Sequence, residues 1–421
     1  MIRKNKPTPP LFKKLFCLSI ALLPILDIYS SFIPSISIGQ LLVIILCFLA
    51  IALSFVHKIR LNNNFVVFFA YFFCVGLFSF LIVRDWNIGK NMLSLALYSF
   101  IAMISINIFN YKIFKNYYYF ISAIIIILAI IQFLGMAFDK HIVFVIPFLK
   151  LENGGSYNSL QNALVRVEGC FTEPAHLVHY LSLTTIMVLA DNKKRFKDIL
   201  LLIFSVATSL LTFSGNAIIS MLIIFIVYGF YFVKKKQFKK KVCFILAVLG
   251  LIILAVVLIN TNETVKALYN RKDEILGMDP ASISGYVRVL RGFELFAGFP
   301  IFNKLFGVGV GNVGNFISEH NIQGSVIVEQ THPLYTYLNG VHYSLISGGI
   351  VGTIIYLKFL LSGGHNKLHS YVFWWVVGLS FVSALYLSPT WLIMIVVLMS
   401  QKKYKNKKYF IKKEVVAYEY V

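Results

Sequence analysis

The feature that most restricts this chain is the repeated return of apolar runs long enough to cross a bilayer, such as "IIIILAIIQFLGMAF" from Ile124. A hydrocarbon core asks for about 20 such residues per helix. Backbone polar groups find no water there, so a run of this length must satisfy them internally as a helix. Composition agrees: 58% of the residues are hydrophobic, with 39 Phe and 23 Tyr, and the mean hydropathy of +0.79 lies outside the soluble range. The expected fold class is all-α, a polytopic membrane protein with large outer loops bearing short interfacial helices. Residues 1–421 are expected to form one integral membrane domain. The start, "MIRKNKPTPPLFKKLF", leads into an apolar run with no small-residue cleavage site after it, which reads as a retained first span.

Spans are expected at about 15–36, 38–56, 64–83, 92–110, 117–137, 174–190, 199–213, 216–233, 242–260, 341–361, 371–386 and 389–401. The formal net charge of +22 would suggest nucleic acid in a soluble protein. Here lysine clusters in alternate connections, including "DNKKRFKD", "KKKQFKKK" and the tail "QKKYKNKKYFIKK". The positive-inside rule then gives twelve spans with both termini cytoplasmic. The charge is topological; membrane lipids are its expected partners, and nucleic acid is not. The five cysteines show no disulfide or metal-ligand spacing, and Cys170 reads as a small apolar filler.

Two outer connections, about 138–173 and 260–340, are too long to be turns and too aromatic for disorder. "HIVFVIPFLKLE" in the first reads as a short interfacial helix, and "SGYVRVLRGFELFAGF" in the second as a helix lying against the membrane. Of eight arginines, Arg84, Arg166, Arg271, Arg288 and Arg291 are expected outside, where a planar fork suits a phosphate or carboxylate.

Four stretches carry candidate chemistry. In "RVEGCFTEPAHLVHYL", Pro174 suits the first helical position and makes Glu173 the cap. Glu173 and His176 then share a face, with Arg166 and Glu168 just before them. The stretch reads either as a structural cluster or as the wall of an internal cavity. His176 and His179 lack a third ligand at metalloenzyme spacing, so no metal is expected. Arg288 and Arg291, one turn apart, either grip two anionic oxygens together or snorkel to headgroups. "LFGVGVGNVGNF", with Gly309, Gly311 and Asn312, offers a tight turn and a candidate anion nest. In "THPLYTYLNGVHYSLISGGIVG", His332 precedes Pro333 and is a candidate base.

In their order and sidedness these motifs resemble the Wzy-type O-antigen and capsule polymerases, in the superfamily that also holds the O-antigen ligases. The motif resemblance covers about 160–190 and 284–355; the topology extends it over nearly the whole chain. One pattern departs: some members place a glycine eleven residues after each arginine, where this chain has Leu177, Phe299 and Phe302. The resemblance implies a glycosyltransferase C-type fold and a metal-independent glycosyltransferase without cofactor. Its donor would be an undecaprenyl-diphosphate-linked oligosaccharide, and a chain-length regulator and flippase of the same pathway would be its protein partners. Arg166, Arg288 and Arg291 would hold the departing diphosphate. His332 or Glu173 would take the acceptor hydroxyl's proton, with Glu168, His176, Gly309, Gly311 and Asn312 in support. Polymerase is the leading reading, ligase the nearest rival, and a flippase or transporter the reading from another class. Transporters place ionisable groups at mid-membrane, whereas Asp27 is the only acidic residue expected well inside a span here and the polar groups concentrate in the outer loops.

Overall fold

The computed structural model describes residues 10–32, 36–54, 62–138, 140, 142–146, 148–151, 167–191, 194–212, 214–234, 289–322, 338–362, 366–383 and 388–400. Among these the architecture is all-helical, with only isolated β-bridges such as Tyr29 with Leu151. The helices are α1 (Pro10–Leu26), α2 (Ile38–Ser54), α3 (Asn63–Val83), α4 (Trp86–Ile108), α5 (Tyr111–Ala137), α6 (Pro174–Ala190), α7 (Phe196–Leu211) and α8 (Gly215–Lys234). After them come α9 (Arg291–Ala297), α10 (Ile301–Phe306), α11 (Val313–Glu319), α12 (Gly340–Leu361), α13 (Lys367–Ser380) and α14 (Pro389–Ser400). Helices coincide with eleven of the twelve expected spans, and the ninth, about 242–260, lies outside the described residues. By length and apolarity four can cross a membrane: 63–83, 86–106, 111–136 and 340–361.

Boundaries follow from short polar side chains at the helix starts. Asn62, Asp85, Asn110, Asn339 and Asn366 each accept a backbone N–H of the following turn, as capping residues do. Between them the helices stack with their apolar faces outward to lipid, including Phe48, Phe78, Phe120 and Phe230. Two helices are surrounded on all sides. α6 is buried without a break from Leu177 to Leu189, packed by α5, α7, α8 and α13. α14 is buried from Thr390 to Ser400 against α1, α4 and α13.

Inside lipid, apolar burial no longer drives association, so packing and polar contacts must hold helices together, at about 0.6 kcal/mol per hydrogen bond. Such contacts are frequent here. Ser122 Oγ meets Thr184 Oγ1 at 2.7 Å, Tyr118 OH donates to the Tyr180 carbonyl, and Tyr180 OH donates to that of Ala21. The Tyr118 and Tyr180 rings stack at 4.3 Å. Near the other flank Trp391 Nε1 donates to Tyr356 OH at 2.8 Å. Contacts between helix ends fall into two groups among the described residues. Lys115 pairs with Asp191 at 2.7 Å, Asn62 with Ser362, and Lys367 with the Leu189 carbonyl at one end. At the other, Asp85 meets Asn315, and Gly340 N–H donates to the Ser383 carbonyl.

Three expectations are corrected. Asp27 is not inside a span: α1 ends at Leu26, and the Asp27 carboxylate accepts the Ser37 hydroxyl at 2.7 Å in the connection that follows. The described part of "HIVFVIPFLKLE" is not an interfacial helix but irregular chain with a turn at Phe148. Pro147 disfavours helix before it, and the backbone finds partners elsewhere. Ser30 N–H donates to the Lys150 carbonyl at 2.7 Å, and Ile146 N–H to Tyr29 OH at 2.9 Å. Thirdly, α12 is broken at Gly349, where φ is +66° and ψ −171°.

Candidate functional site

The break in α12 organises the second outer region. A helix interrupted among apolar neighbours exposes carbonyls that must be satisfied by protein. The segment after α10 supplies donors: Val308 N–H to the Ile346 carbonyl and Gly309 N–H to that of Ser347, both at 3.0 Å. Tyr71 OH takes the Gly348 carbonyl at 2.8 Å, and Thr353 Oγ1 takes that of Gly349 at 2.9 Å. The crossing is so close that a Cβ on Gly349 would lie 2.4 Å from the Leu305 carbonyl oxygen. Gly309, at φ +92°, packs on Ser79, whose hydroxyl donates to the Val308 carbonyl at 2.6 Å. Gly311 packs in the same way on Ile88 and Asn91, and Asn312 turns its amide onto the Val308 carbonyl at 3.0 Å. The Gly309 N–H is therefore spent on α12 rather than turned outward toward an anion.

Arginine enters through α9. Arg291 is its first residue and only 1% exposed, sunk into the fold rather than snorkelling. Its neighbour Gly292 lies against His342 of α12 so closely that any Cβ would fall 2.1 Å from the imidazole Cγ. Phe293 meets the same ring edge-on, with centroids 4.5 Å apart. His342 is 0% exposed, with the Val289 backbone as the polar neighbour of its ring. Its backbone N–H is held by Asn339 Oδ1 at 2.8 Å. α9 and α12 thus each bury a polar side chain where they pack together, Arg291 on one and His342 on the other.

The first outer region is built differently. Gln132, a lone amide in the apolar run of α5, accepts the N–H groups of Glu168 and Gly169 at 2.9 and 2.8 Å. Its own Nε2 donates to the Ile142 carbonyl at 3.1 Å. One side chain thus clasps both parts of that loop. Glu168 is 1% exposed. Cys170 is buried and its thiol is pushed up to about 12 by desolvation, as an apolar filler requires. Pro174 opens α6 with Glu173 as cap, and Glu173 is in extended conformation. The Glu173 carboxylate makes no cap hydrogen bond and is exposed, as is His176, so both present themselves at the helix mouth. His179 turns the other way and is buried. Among the described residues no three His, Cys, Asp or Glu side chains group as metal ligands.

The structure thus brings Arg291, Gly309, Gly311 and Asn312 onto α3, α4 and α12, and Glu168, Glu173 and His176 onto α1, α5 and α6. Arg166, Arg288 and His332 lie outside the described residues. Sequence reasoning passed over Gln132 and His342. The first was legible as a single amide within fifteen apolar positions; the second sat inside the stretch that yielded His332. Residues 200–357, which span the second outer region whole, match the Wzy_C family model, described as O-antigen ligase. No curated protein matches the chain.

Proposed function

We propose that this chain, which its family match assigns to the O-antigen polymerase/ligase superfamily, polymerises lipid-linked oligosaccharide repeat units. The carrying observation is that the match at 200–357 contains the arginine-bearing α9 seated on the broken α12. In this reading the growing glycan leaves its undecaprenyl diphosphate and joins a hydroxyl of a new lipid-linked unit at the outer leaflet of a bacterial inner membrane. The C–O bond to the diphosphate breaks, the new glycosidic bond forms, and the hydroxyl proton passes to a base.

Each residue has a proposed task. Arg291, with Arg166 and Arg288, holds the negative charge gathering on the leaving diphosphate, work that a fixed guanidinium does well in a dry site. Glu173, exposed at the mouth of α6 and free of capping duty, or His332 accepts the proton. Glu168 and His176 support the first wall, and Gly309, Gly311 and Asn312 hold the second region to the membrane helices. The finer architecture belongs to the same proposal: twelve spans, termini inside, a glycosyltransferase C-type arrangement, no cofactor or metal, and a flippase and chain-length regulator as pathway partners.

The description of the family model as an O-antigen ligase favours a second reading, transfer of finished polymer to lipid A-core or protein. The two separate in a deletion strain. Loss of long polymer with single repeat units still attached to the surface supports polymerase. Polymer that accumulates on the lipid carrier without reaching the surface supports ligase. Unaltered surface glycan rules out both. Incubating purified protein with lipid-linked repeat units, with chain length read on a gel, tests the chemistry directly.

A further inference from the structure

The turn between α3 and α4, at the outer end in the proposed orientation, carries an arrangement that the transfer chemistry does not use. Trp86 is 78% exposed. Its indole lies beside Gly89, where an added Cβ would be 3.8 Å from Trp86 Cε3 and 3.3 Å from Phe80 Cε2. Asp85, just before it, accepts the Asn87 N–H at 2.9 Å and so caps α4. Its other carboxylate oxygen accepts Asn315 Nδ2 of α11 at 2.6 Å. Next to Asn315, Phe316 stacks under the exposed ring of His320 at 4.0 Å and 23°.

A helix cap needs only one oxygen, and an aromatic-belt tryptophan needs no polar partner at all. Neither role explains why the second oxygen of Asp85 is tied to a residue 230 positions away. The tie fixes the carboxylate that precedes an exposed indole to α11, which itself carries the exposed His320 ring, on the flank of the arginine-bearing region. A sugar ring has two complementary features: a C–H face that rests on aromatic rings, and neighbouring hydroxyls that pair with planar carboxylate and amide groups. A carboxylate offers about four acceptor positions, and on Asp85 these are shared by Asn315 and by the backbone and side chain of Asn87.

We propose that Trp86, Asp85 and Asn315 form a glycan-binding rim that receives the oligosaccharide of the lipid-linked substrate, with Trp86 as its stacking platform. The proposal rests on the reading of the chain as an enzyme of lipid-linked glycans, and it adds where the sugar is held apart from the diphosphate. The probe is the oligosaccharide released by mild acid from the host's own lipid-linked repeat units, free of both lipid and diphosphate. Its binding to the full chain in detergent is titrated calorimetrically, and KM and kcat for the intact lipid-linked unit are measured alongside.

Trp86→Ala is expected to weaken oligosaccharide binding about fivefold and raise KM to match with kcat kept, the scale of one aromatic stack. Trp86→Phe keeps a ring and is expected to stay within about twofold. Asp85→Asn keeps the cap, since asparagine caps as well as aspartate, yet is expected to lose about threefold by giving up charged acceptors. Trp374→Ala, at another exposed tryptophan, controls for membrane anchoring and is expected to change neither value. Unchanged binding and KM in Trp86→Ala, with active wild type, overturns the rim while the enzyme reading stands. Equal losses in Trp86→Ala and Trp374→Ala also overturn it, in favour of anchoring. A wild type that neither binds the oligosaccharide nor extends the lipid-linked unit overturns both.

Discussion

The two outer regions are fastened to the membrane helices by opposite means. The described part of the first is held by side chains that reach its backbone: Gln132 of α5 gathers three backbone groups, and Tyr29 takes the Ile146 N–H. The second depends on positions where a side chain would be in the way, with the Tyr71 and Ser79 hydroxyls tied in beside the crossing. Its glycines let the backbone of 307–309 enter the break in α12 and bond to carbonyls a continuous helix would have used itself. The difference teaches where each tolerates change. A clasp can be weakened by degrees, whereas a backbone crossing is lost as a whole once any Cβ enters it.

The sharpest way to break the comparison is Gly349→Ala. It puts a side chain at φ +66° and within 2.4 Å of the Leu305 carbonyl oxygen. A cost of about 3 kcal/mol or more is expected, with loss of activity. Unchanged thermal unfolding in detergent would show that the crossing yields. Next comes Gly292→Ala, expected to cost about 2–3 kcal/mol by driving a methyl into His342. Adding His342→Ala to it makes room, so the double variant should recover stability beyond the sum of the singles. Additive losses would mean that the two residues do not share one space. Gln132→Leu should be milder, at about 1–3 kcal/mol from orphaned N–H groups. Its losses should be confined to the first region, seen as faster hydrogen exchange at Glu168 and Gly169.

The smallest effect concerns pH at the tie between the α3–α4 turn and α11. Asn315, and then the Asn87 N–H, hold the Asp85 carboxyl below the ordinary carboxylate range. A carboxyl with a depressed folded pKa stabilises fully above its unfolded value, about 3.9. That stabilisation is lost as pH falls through the folded value. Wild type should therefore unfold slightly hotter than Asp85→Asn at pH 6, and the gap should close as the solution is acidified past that range. A gap independent of pH would remove charge from the account of this contact.

Much of the helical frame was legible because lipid imposes a length and forbids irregular backbone. The start of α6 was legible at single-residue level, since proline at a first helical position leaves little choice for Glu173. Legibility failed where two distant segments solve each other's problem. "HIVFVIPFLKLE" has the composition of an interfacial helix, yet its backbone bonds go to Tyr29 and to the chain near Ser30. "ISGGIVG" reads as helix with small residues, because the donors that make a break tolerable come from Val308 and Gly309. The candidate site was partly legible for the same reason. Residue types that hold phosphate stand out in an apolar chain. That Arg291 and His342 would both be buried depends on a fit between α9 and α12 that no local pattern encodes.

The broken α12 also bears on how the molecule is assembled. A chain is made from its N-terminus onward, so α3 exists first, the segment 307–309 next, and α12 last. Until α12 arrives, the N–H groups of Val308 and Gly309 have no carbonyls of Ile346 and Ser347 to meet. Ser79, already in place on α3, can hold the Val308 carbonyl in the interval. Completion of the crossing at 307–309 is therefore coupled to a helix made after it, and the nascent protein cannot satisfy these backbone groups in this way before α12 has formed.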